Sequence, residues 1–174
     1  VDMSQVKTVM DIGTGAGFPG VPLKIAFPEV EACLLDSLNK RVKFLEETFE
    51  LLGLNRISAI HGRAEEYAKN KSYREKYDLC VSRAVSGLAT LSEYCLPYVK
   101  VGGVFVSYKS GSVKEEAEVA EKAIKILGGK IRDIRYFDLP GSEISRSLVI
   151  IEKVKNTPGK YPRKAGTPLR EPLA

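Results

Sequence analysis

The sequence predicts an α/β fold in which helices cover both faces of a seven-stranded, mostly parallel sheet with one antiparallel strand. Three observations lead to this prediction. Short apolar runs alternate with segments of helical periodicity, and a glycine-rich segment follows the first run. Helices that alternate with strands return the chain to the same end of a sheet, so such strands pair in parallel. The last two apolar runs are instead separated by a turn signal alone.

The first part of the chain contains three predicted strands, each followed by a helix. Apolar runs place the strands at Thr8–Ile12, Glu31–Leu35 and Ile57–Ile60. The helices are expected near Val21–Phe27, from an N-terminal cap at Ser37 to a stop at Gly53, and near Ala64–Ala68. The apolar stripe of the second helix consists of Val42, Leu45, Phe49 and Leu52.

The second part adds two strand–helix units and closes with a hairpin. Strands at Leu79–Ser82 and Gly103–Tyr108 precede helices expected at Leu88–Pro97 and from Ser112 to Gly128. Ser112 and Glu115 have the spacing of a capping box. The stripe of the last helix is Val113, Ala117, Ala120, Ile124 and Leu127. The hairpin strands are predicted at Ile131–Leu139 and Ser147–Val154, around the turn signal Pro140-Gly141-Ser142.

Composition narrows the class of protein. A chain of 174 residues buries enough surface to need no disulfide or metal. No apolar run approaches the roughly 20 residues of a membrane-spanning helix, and no signal peptide opens the sequence. Cys33, Cys80 and Cys95 are odd in number and lack zinc-ligand spacing. We therefore expect reduced thiols in a cytoplasmic monomer that binds no metal and no membrane.

Net charge is distributed unevenly between the main part of the chain and its last residues. The total is +5, and the last 22 residues alone hold six basic residues against one acidic residue. Four of the nine prolines lie there as well. We therefore predict a domain over residues 1–154 and a basic, proline-rich tail over residues 155–174. Charge concentrated in one segment favours a polyanionic partner that is approached from one side.

The expected binding edge is the carboxyl end of the strands, where open α/β sheets hold ligands. The first strand ends in the loop Asp11–Gly20, and the second ends in Asp36, which suits the hydroxyls of a ribose. One reading of the loop, Gly15-x-Gly17-x-x-Gly20, matches the fingerprint of nicotinamide enzymes. The other reading starts where the strand ends and gives glycines at 13, 15 and 17, two residues after an acid.

S-adenosylmethionine-dependent methyltransferases of the Rossmann-like class I fold typically combine three features. These are the second reading of the loop, an acid after strand two and an antiparallel last strand. The end of strand four reads Val81–Ala84 and lacks the Pro-Pro-aromatic motif of many amino-group methyltransferases. Cys80 lies inside an apolar strand, which argues against a cysteine nucleophile. A ring nitrogen with a free lone pair would need little acid–base help, and alignment would then carry the catalysis.

Several segments also carry a family resemblance. They are Asp11–Gly20, Leu35–Ser37 with Lys40–Arg41, Arg63–Glu65, Ser82–Ala84 and the tail segment Lys160–Pro168. Together they resemble the bacterial small-subunit rRNA guanine-7-methyltransferase family, also called the glucose-inhibited division protein B family, over nearly the whole chain. The resemblance implies methylation of N-7 of a guanine in the 530 loop of 16S rRNA, either naked or within the small ribosomal subunit. Family members usually carry a helical segment before the first strand, and we expect its absence here to affect activity more than cofactor binding.

The resemblance and the loop pattern together give the predicted site. The expected S-adenosylmethionine contacts are Gly13, Gly15, Gly17, Phe18, Asp36, Ala64, Glu65 and Arg83. No catalytic residue is assigned, and Arg83 is the candidate for positioning the cofactor or the base. The expected RNA contacts are Lys109, Lys160, Arg163 and Lys164.

Simpler interpretations remain open at this stage. Asp36 would also serve as a helix-capping acid, and Asp11 as an acceptor that only orients the loop. Arg83 would also suit a surface ion pair, Lys109 a solvated position, and the tail a disordered end or a strap. His61 is predicted to be structural. Two other functions compete: a cofactor-binding RNA module without catalysis, and a nicotinamide-dependent oxidoreductase.

Overall fold

The computed structural model describes residues 1–83 and 86–173. Seven strands form one sheet: β1 (Thr8–Ile12), β2 (Glu31–Asp36), β3 (Ile57–His61), β4 (Tyr77–Arg83), β5 (Val99–Ser110), β6 (Gly129–Asp138) and β7 (Ser145–Lys153). The helices are α1 (Gly20–Ala26), α2 (Asn39–Leu51), α3 (Ala64–Tyr67), α4 (Leu88–Cys95), α5 (Lys114–Ile126) and α6 (Thr167–Arg170), with short 3-10 turns at Met3–Gln5 and Leu96–Tyr98.

The strand order is β3-β2-β1-β4-β5-β7-β6. The first five strands run parallel, and β7 is antiparallel to both of its neighbours, β5 and β6. Helical crossovers force the parallel pairs, whereas the short connection between β6 and β7 permits only an antiparallel pair. The predicted fold class is therefore confirmed.

The two faces of the sheet are covered by different helices. Adjacent residues of a strand point to opposite faces, so Leu34 packs on α1 and α2 while Leu35 belongs to the larger core under α4 and α5. The predicted stripe of α5 is buried along its whole length, from Val113 to Leu127. Among the described residues, no helix is both long and apolar enough to cross a membrane.

Two predicted helix caps are wrong. Helix α2 begins at Asn39, with Leu38 and not Ser37 at its N-terminal cap position, and no side chain caps it. Asp36 Oδ1 instead accepts the N–H of Leu38, just before the helix, at 2.9 Å. Helix α5 begins after Val113, whose side chain is drawn into the core, and no side chain caps it. Glu116 of α5 instead caps a different helix, α4. Its side chain accepts the N–H of Leu88, the first residue of α4, at 2.6 Å.

The last residues pack against the domain as a strap, which we define as residues 155–173. Arg74 anchors its first half by donating to the carbonyls of Thr157 and Tyr161 at 2.8 and 2.9 Å. The ring of Tyr161 is buried in the main core. Helix α6 then ends the strap against α4, where Thr90 donates to the carbonyl of Pro168 at 3.0 Å. The sequence left two alternatives for the tail, a disordered end or a strap, and the structure shows residues 155–173 as a strap.

Candidate functional site

The loop between β1 and α1 turns on three glycines. Gly13, Gly15 and Gly17 have φ values of 68°, 62° and 94°, in the left-handed region that side chains with a Cβ rarely adopt. At Gly17 a Cβ would also lie 2.6 Å from the Val21 side chain. Gly20, the last glycine of the nicotinamide fingerprint, is instead the first residue of α1. The reading that starts at Gly13 therefore describes the turn.

Asp11 stabilises the conformation of this loop through hydrogen bonds. Its Oδ2 accepts the Thr14 hydroxyl at 2.7 Å and the Gly20 N–H at 2.9 Å, so the side chain orients both ends of the loop. Burial raises the pKa of this carboxyl to about 6. Its second oxygen, Oδ1, is buried and has no hydrogen-bond partner among the described residues. A buried acceptor without a partner is costly, which makes this atom a candidate contact for a ligand donor.

Asp36 joins the glycine loop to the start of α2. One carboxylate oxygen accepts the Gly15 N–H at 2.9 Å, and the other accepts the Leu38 N–H. Arg41 lies 3.3 Å from the first oxygen, with half of its own side chain exposed. These three donors take three of the about four acceptor positions that two carboxylate oxygens offer, so one position stays free. Both predicted roles, capping and binding of hydroxyls, are therefore compatible with its placement.

A cleft of about 180 Å³ lies beside these residues. Among its lining residues are Gly13, Ala64, Glu65, Tyr94 and Leu169. Glu65 is buried, and its Oε1 accepts the N–H of Gly166 at 2.8 Å. The strap therefore forms one wall of the cleft. Sequence reasoning missed Tyr94 and Leu169, because nothing in the chain signals that residue 169 returns to the end of β1.

Arg83 and Phe18 lie together at the end of β4. The Arg83 guanidinium is 5.7 Å from the centroid of the Phe18 ring, in cation–π geometry. Phe18 itself is half exposed. Ser82 ties this strand end to the neighbouring one by donating to the Ile12 carbonyl at 2.8 Å. Ala84, the third residue of the predicted motif, lies outside the described residues.

Lys109 differs from the expected RNA-contacting lysine. Its ammonium donates to the Ser86 carbonyl and to Glu116, both at 2.7 Å, and only 12% of its side chain is exposed. Because Glu116 also caps α4, Lys109 connects Ser86 to the start of that helix. The structure thus gives this lysine protein partners instead of a solvent-facing position.

The three strap residues that were predicted to contact RNA have unequal environments. Arg163 forms an ion pair with the fully buried Glu93 at 2.7 Å and makes further hydrogen bonds to the same carboxylate. This pairing, which the sequence did not predict, engages Nε and one Nη of the guanidinium within the fold. Lys160 is exposed, with its ammonium 5.3 Å from the centroid of the Tyr161 ring. Lys164 is exposed as well.

The predicted cofactor residues converge, and the predicted RNA residues do not. The glycines, Asp36, Ala64 and Glu65 meet at the carboxyl ends of β1, β2 and β3, and Arg83 at the end of the adjacent β4 lies against Phe18 of the glycine loop. Burial raises the pKa of the Cys80 thiol well above its usual range, so this cysteine is held protonated in the core. A ring nitrogen of His61 lies 3.2 Å from the Ser37 carbonyl. Within residues 1–83 and 86–173, no three His, Cys, Asp or Glu side chains are grouped as a metal site.

Comparison with solved structures agrees with the fold of the chain. TrmN from Thermus thermophilus superposes with a TM-score of 0.63 at 17% identity, covering 85% of this chain and 44% of that one. TYW2 from M. jannaschii, solved in complex with AdoMet, gives 0.64 at 15% identity, covering 85% and 69%. At such identities the similarity establishes the fold alone.

Sequence relatives are far closer. The protein from Clostridium novyi named ribosomal RNA small subunit methyltransferase G is 54% identical over 171 residues, which are 98% of this chain and 70% of that protein. The protein of the same name from Lachnoclostridium phytofermentans is 56% identical over 172 residues, 97% of this chain and 71% of its own length. The GidB family, described as rRNA small subunit methyltransferase G, matches residues 1–148. On this evidence the chain belongs to the rRNA small subunit methyltransferase G family.

Proposed function

We propose that this chain transfers a methyl group from S-adenosylmethionine to N-7 of a guanine in the 530 loop of 16S rRNA. The observation that carries the proposal is the match to the family over residues 1–148, with relatives of that name at more than 50% identity. Membership of the family makes the chain an S-adenosylmethionine-dependent rRNA methyltransferase. The residue roles and the target loop are the parts that need testing.

The residues at the ends of β1, β2 and β3 fit S-adenosylmethionine. The Oδ1 of Asp11, which has no partner among the described residues, suits the ammonium of the methionine moiety. Asp36 suits the ribose hydroxyls through its free acceptor position and the one that the half-exposed Arg41 now takes. The cleft walled by Ala64, Tyr94 and Leu169 suits the adenine. When bound, the cofactor supplies an electrophilic methyl group on a positively charged sulfur. The left-handed turn at Gly13 leaves the backbone open to close approach there.

The chemistry demands little from side chains. A purine N-7 carries an in-plane lone pair and no proton, so no general base is required. This agrees with the surroundings of Cys80, which is buried and protonated, and of His61, which is occupied by a backbone carbonyl. The protein then contributes mainly by holding lone pair, methyl carbon and sulfur in line, and orientation can lower a barrier by several kcal/mol. Arg83, at the edge between loop and strand, is placed to position the base.

Methyl transfer can be measured directly. Radiolabelled S-adenosylmethionine should label naked 16S rRNA or small ribosomal subunits, and cleavage specific for 7-methylguanine should map the label to the 530 loop. Label at another position would overturn the assigned target. If S-adenosylhomocysteine binds but neither substrate becomes labelled, the chain is a cofactor-binding RNA module. Calorimetry with NADH as a second ligand tests the oxidoreductase alternative, which requires tight NADH binding.

A further inference from the structure

A larger cavity lies beyond the cofactor residues, at the carboxyl end of β4 and β5. It encloses about 730 Å³, within the range of small-molecule binding pockets. Its lining includes Arg83, Tyr108, Phe137, Arg146 and Leu148. Arg83 alone among them belongs to the predicted cofactor residues. The cavity therefore continues from the cofactor site and is not part of it.

Strand register explains why these side chains share one face. Arg83 of β4 pairs with Tyr108 of β5, which pairs with Leu148 of β7. In the next row, Arg146 of β7 pairs with Phe137 of β6. Residues paired across neighbouring strands point to the same face of a sheet. Two guanidinium groups and two aromatic rings are thus brought together from four strands.

The charge of the cavity is positive. Arg83 and Arg146 have no carboxylate within 4.0 Å among the described residues, whereas Lys109 is neutralised by Glu116 at the rear of the cavity. Phe137 is 42% exposed, so one aromatic face is open to a ligand. Arginines without an ion-pair partner, beside the exposed Phe137 and the half-buried Tyr108, suit phosphates beside stacked bases, and an apolar protein partner would not need the two charges.

The cavity also lies next to the expected methyl donor. A narrower apolar groove, lined by Phe18, Pro22, Arg83 and Tyr108 among others, connects it to the glycine loop. A base that enters the cavity past Arg83 therefore reaches the edge of the cofactor site. Enzymes that modify a base must take it out of its stack, and the vacated neighbours need support.

We propose that this cavity holds single-stranded RNA around the target nucleotide, an inference that rests on the proposed function. Tyr108 and Phe137 stack with bases, Arg146 binds a backbone phosphate, and Arg83 receives the extruded purine at the entrance to the cofactor site. The RNA surface is accordingly built by β5, β6 and β7. The strap, in contrast, supports the cofactor cleft.

The test compares matched pairs of variants in RNA binding. Arg146→Gln is paired with Arg56→Gln, because Arg56 is a half-exposed arginine that precedes β3 at the opposite edge of the sheet. Phe137→Leu is paired with Phe44→Leu, because Phe44 is half exposed on α2. The probe is a fluorescent single-stranded RNA with the 530-loop sequence, titrated at several salt concentrations with S-adenosylhomocysteine present.

The expected results differ within each pair. Arg146→Gln should weaken RNA binding about threefold and reduce the log–log salt slope by about 0.7, the value for one phosphate contact on a single strand. Phe137→Leu should weaken binding about fivefold or more, as for a lost base stack, with no change of slope. The variants Arg56→Gln and Phe44→Leu should bind RNA like the unaltered chain.

Several results would overturn the inference. It fails if Arg146→Gln and Phe137→Leu bind RNA as their controls do, or if their losses accompany an equal loss of S-adenosylhomocysteine affinity. The proposed function fails separately, if the unaltered chain methylates no rRNA. Methyl transfer that persists with unaffected RNA binding in both cavity variants would keep the function and place the RNA elsewhere.

Discussion

Replacing Arg163 with Ala separates a structural role from an RNA contact. Its guanidinium and backbone N–H together make four hydrogen bonds to Glu93, between 2.7 and 3.1 Å. Glu93 is completely buried, so the substitution leaves a carboxylate without its charge partner in the core. The pairing also raises the pKa of Arg163 above its usual value, chiefly through the Glu93 hydrogen bonds. We expect the variant to be destabilised strongly.

The magnitude follows from the geometry. Breaking one side of a buried ion pair costs about 3–5 kcal/mol, against a total free energy of unfolding of about 5–15 kcal/mol for a domain. The double variant Glu93→Leu/Arg163→Leu removes both charges and should recover most of the lost stability.

Urea unfolding followed by circular dichroism measures these differences. Arg170→Ala is the control, since Arg170 is an exposed arginine of the same strap. The reasoning is refuted if Arg163→Ala keeps its free energy of unfolding within about 1 kcal/mol of the control while its RNA salt slope falls by about 0.7. That result would make Arg163 an RNA contact, as the sequence alone suggests.

Three further predictions concern the cofactor side of the sheet. Asp36→Asn keeps the size of the side chain and should weaken S-adenosylhomocysteine binding by about 1–3 kcal/mol in calorimetry, because ribose hydroxyls lose a charged acceptor; an unchanged Kd would exclude that role. Leu169→Ala should raise the same Kd about threefold, by loss of apolar contact, and leave RNA binding unchanged; an effect on RNA alone would remove Leu169 from the adenine cleft. For Asp11, the pKa of about 6 exceeds the unperturbed 3.8, so the folded state binds the proton more tightly. Its stabilisation is complete below about pH 4 and is lost as pH rises through 6, by at most about 3 kcal/mol. Unfolding curves of the unaltered chain and Asp11→Asn should therefore diverge between pH 4 and pH 6, and parallel curves would contradict the assignment.

The strands and the glycine loop were predictable because their signals are local. A buried parallel strand such as β1 is a short apolar run, and its limits were predicted at the residues where the structure places them. The turn at Gly13, Gly15 and Gly17 needs left-handed backbone, which glycine supplies at every position. The position of Asp36 followed from the same logic, because strand ends in a parallel sheet meet at one edge.

Charged side chains were harder to place, because their partners lie far away in sequence. Arg163 finds Glu93 at a separation of 70 residues, and Glu65 accepts an N–H from a residue 101 positions away. A count of basic residues treats Arg163 and Lys164 alike, although one is paired with a buried acid and the other is exposed. The partners of Lys109 were not predicted for the same reason, since nothing local marks Ser86 and Glu116 as its partners.

The excess charge of the strap therefore does not locate the RNA by itself. The positive charge of Arg163 is balanced inside the fold by Glu93. The strap residues Gly166 and Leu169 contribute to the cofactor cleft. The arginines of the cavity belong instead to β4 and β7, which lie outside the basic tail that the sequence indicates. Arg83 borders both the cofactor residues and the cavity, because it contacts Phe18 of the glycine loop and also lines the cavity.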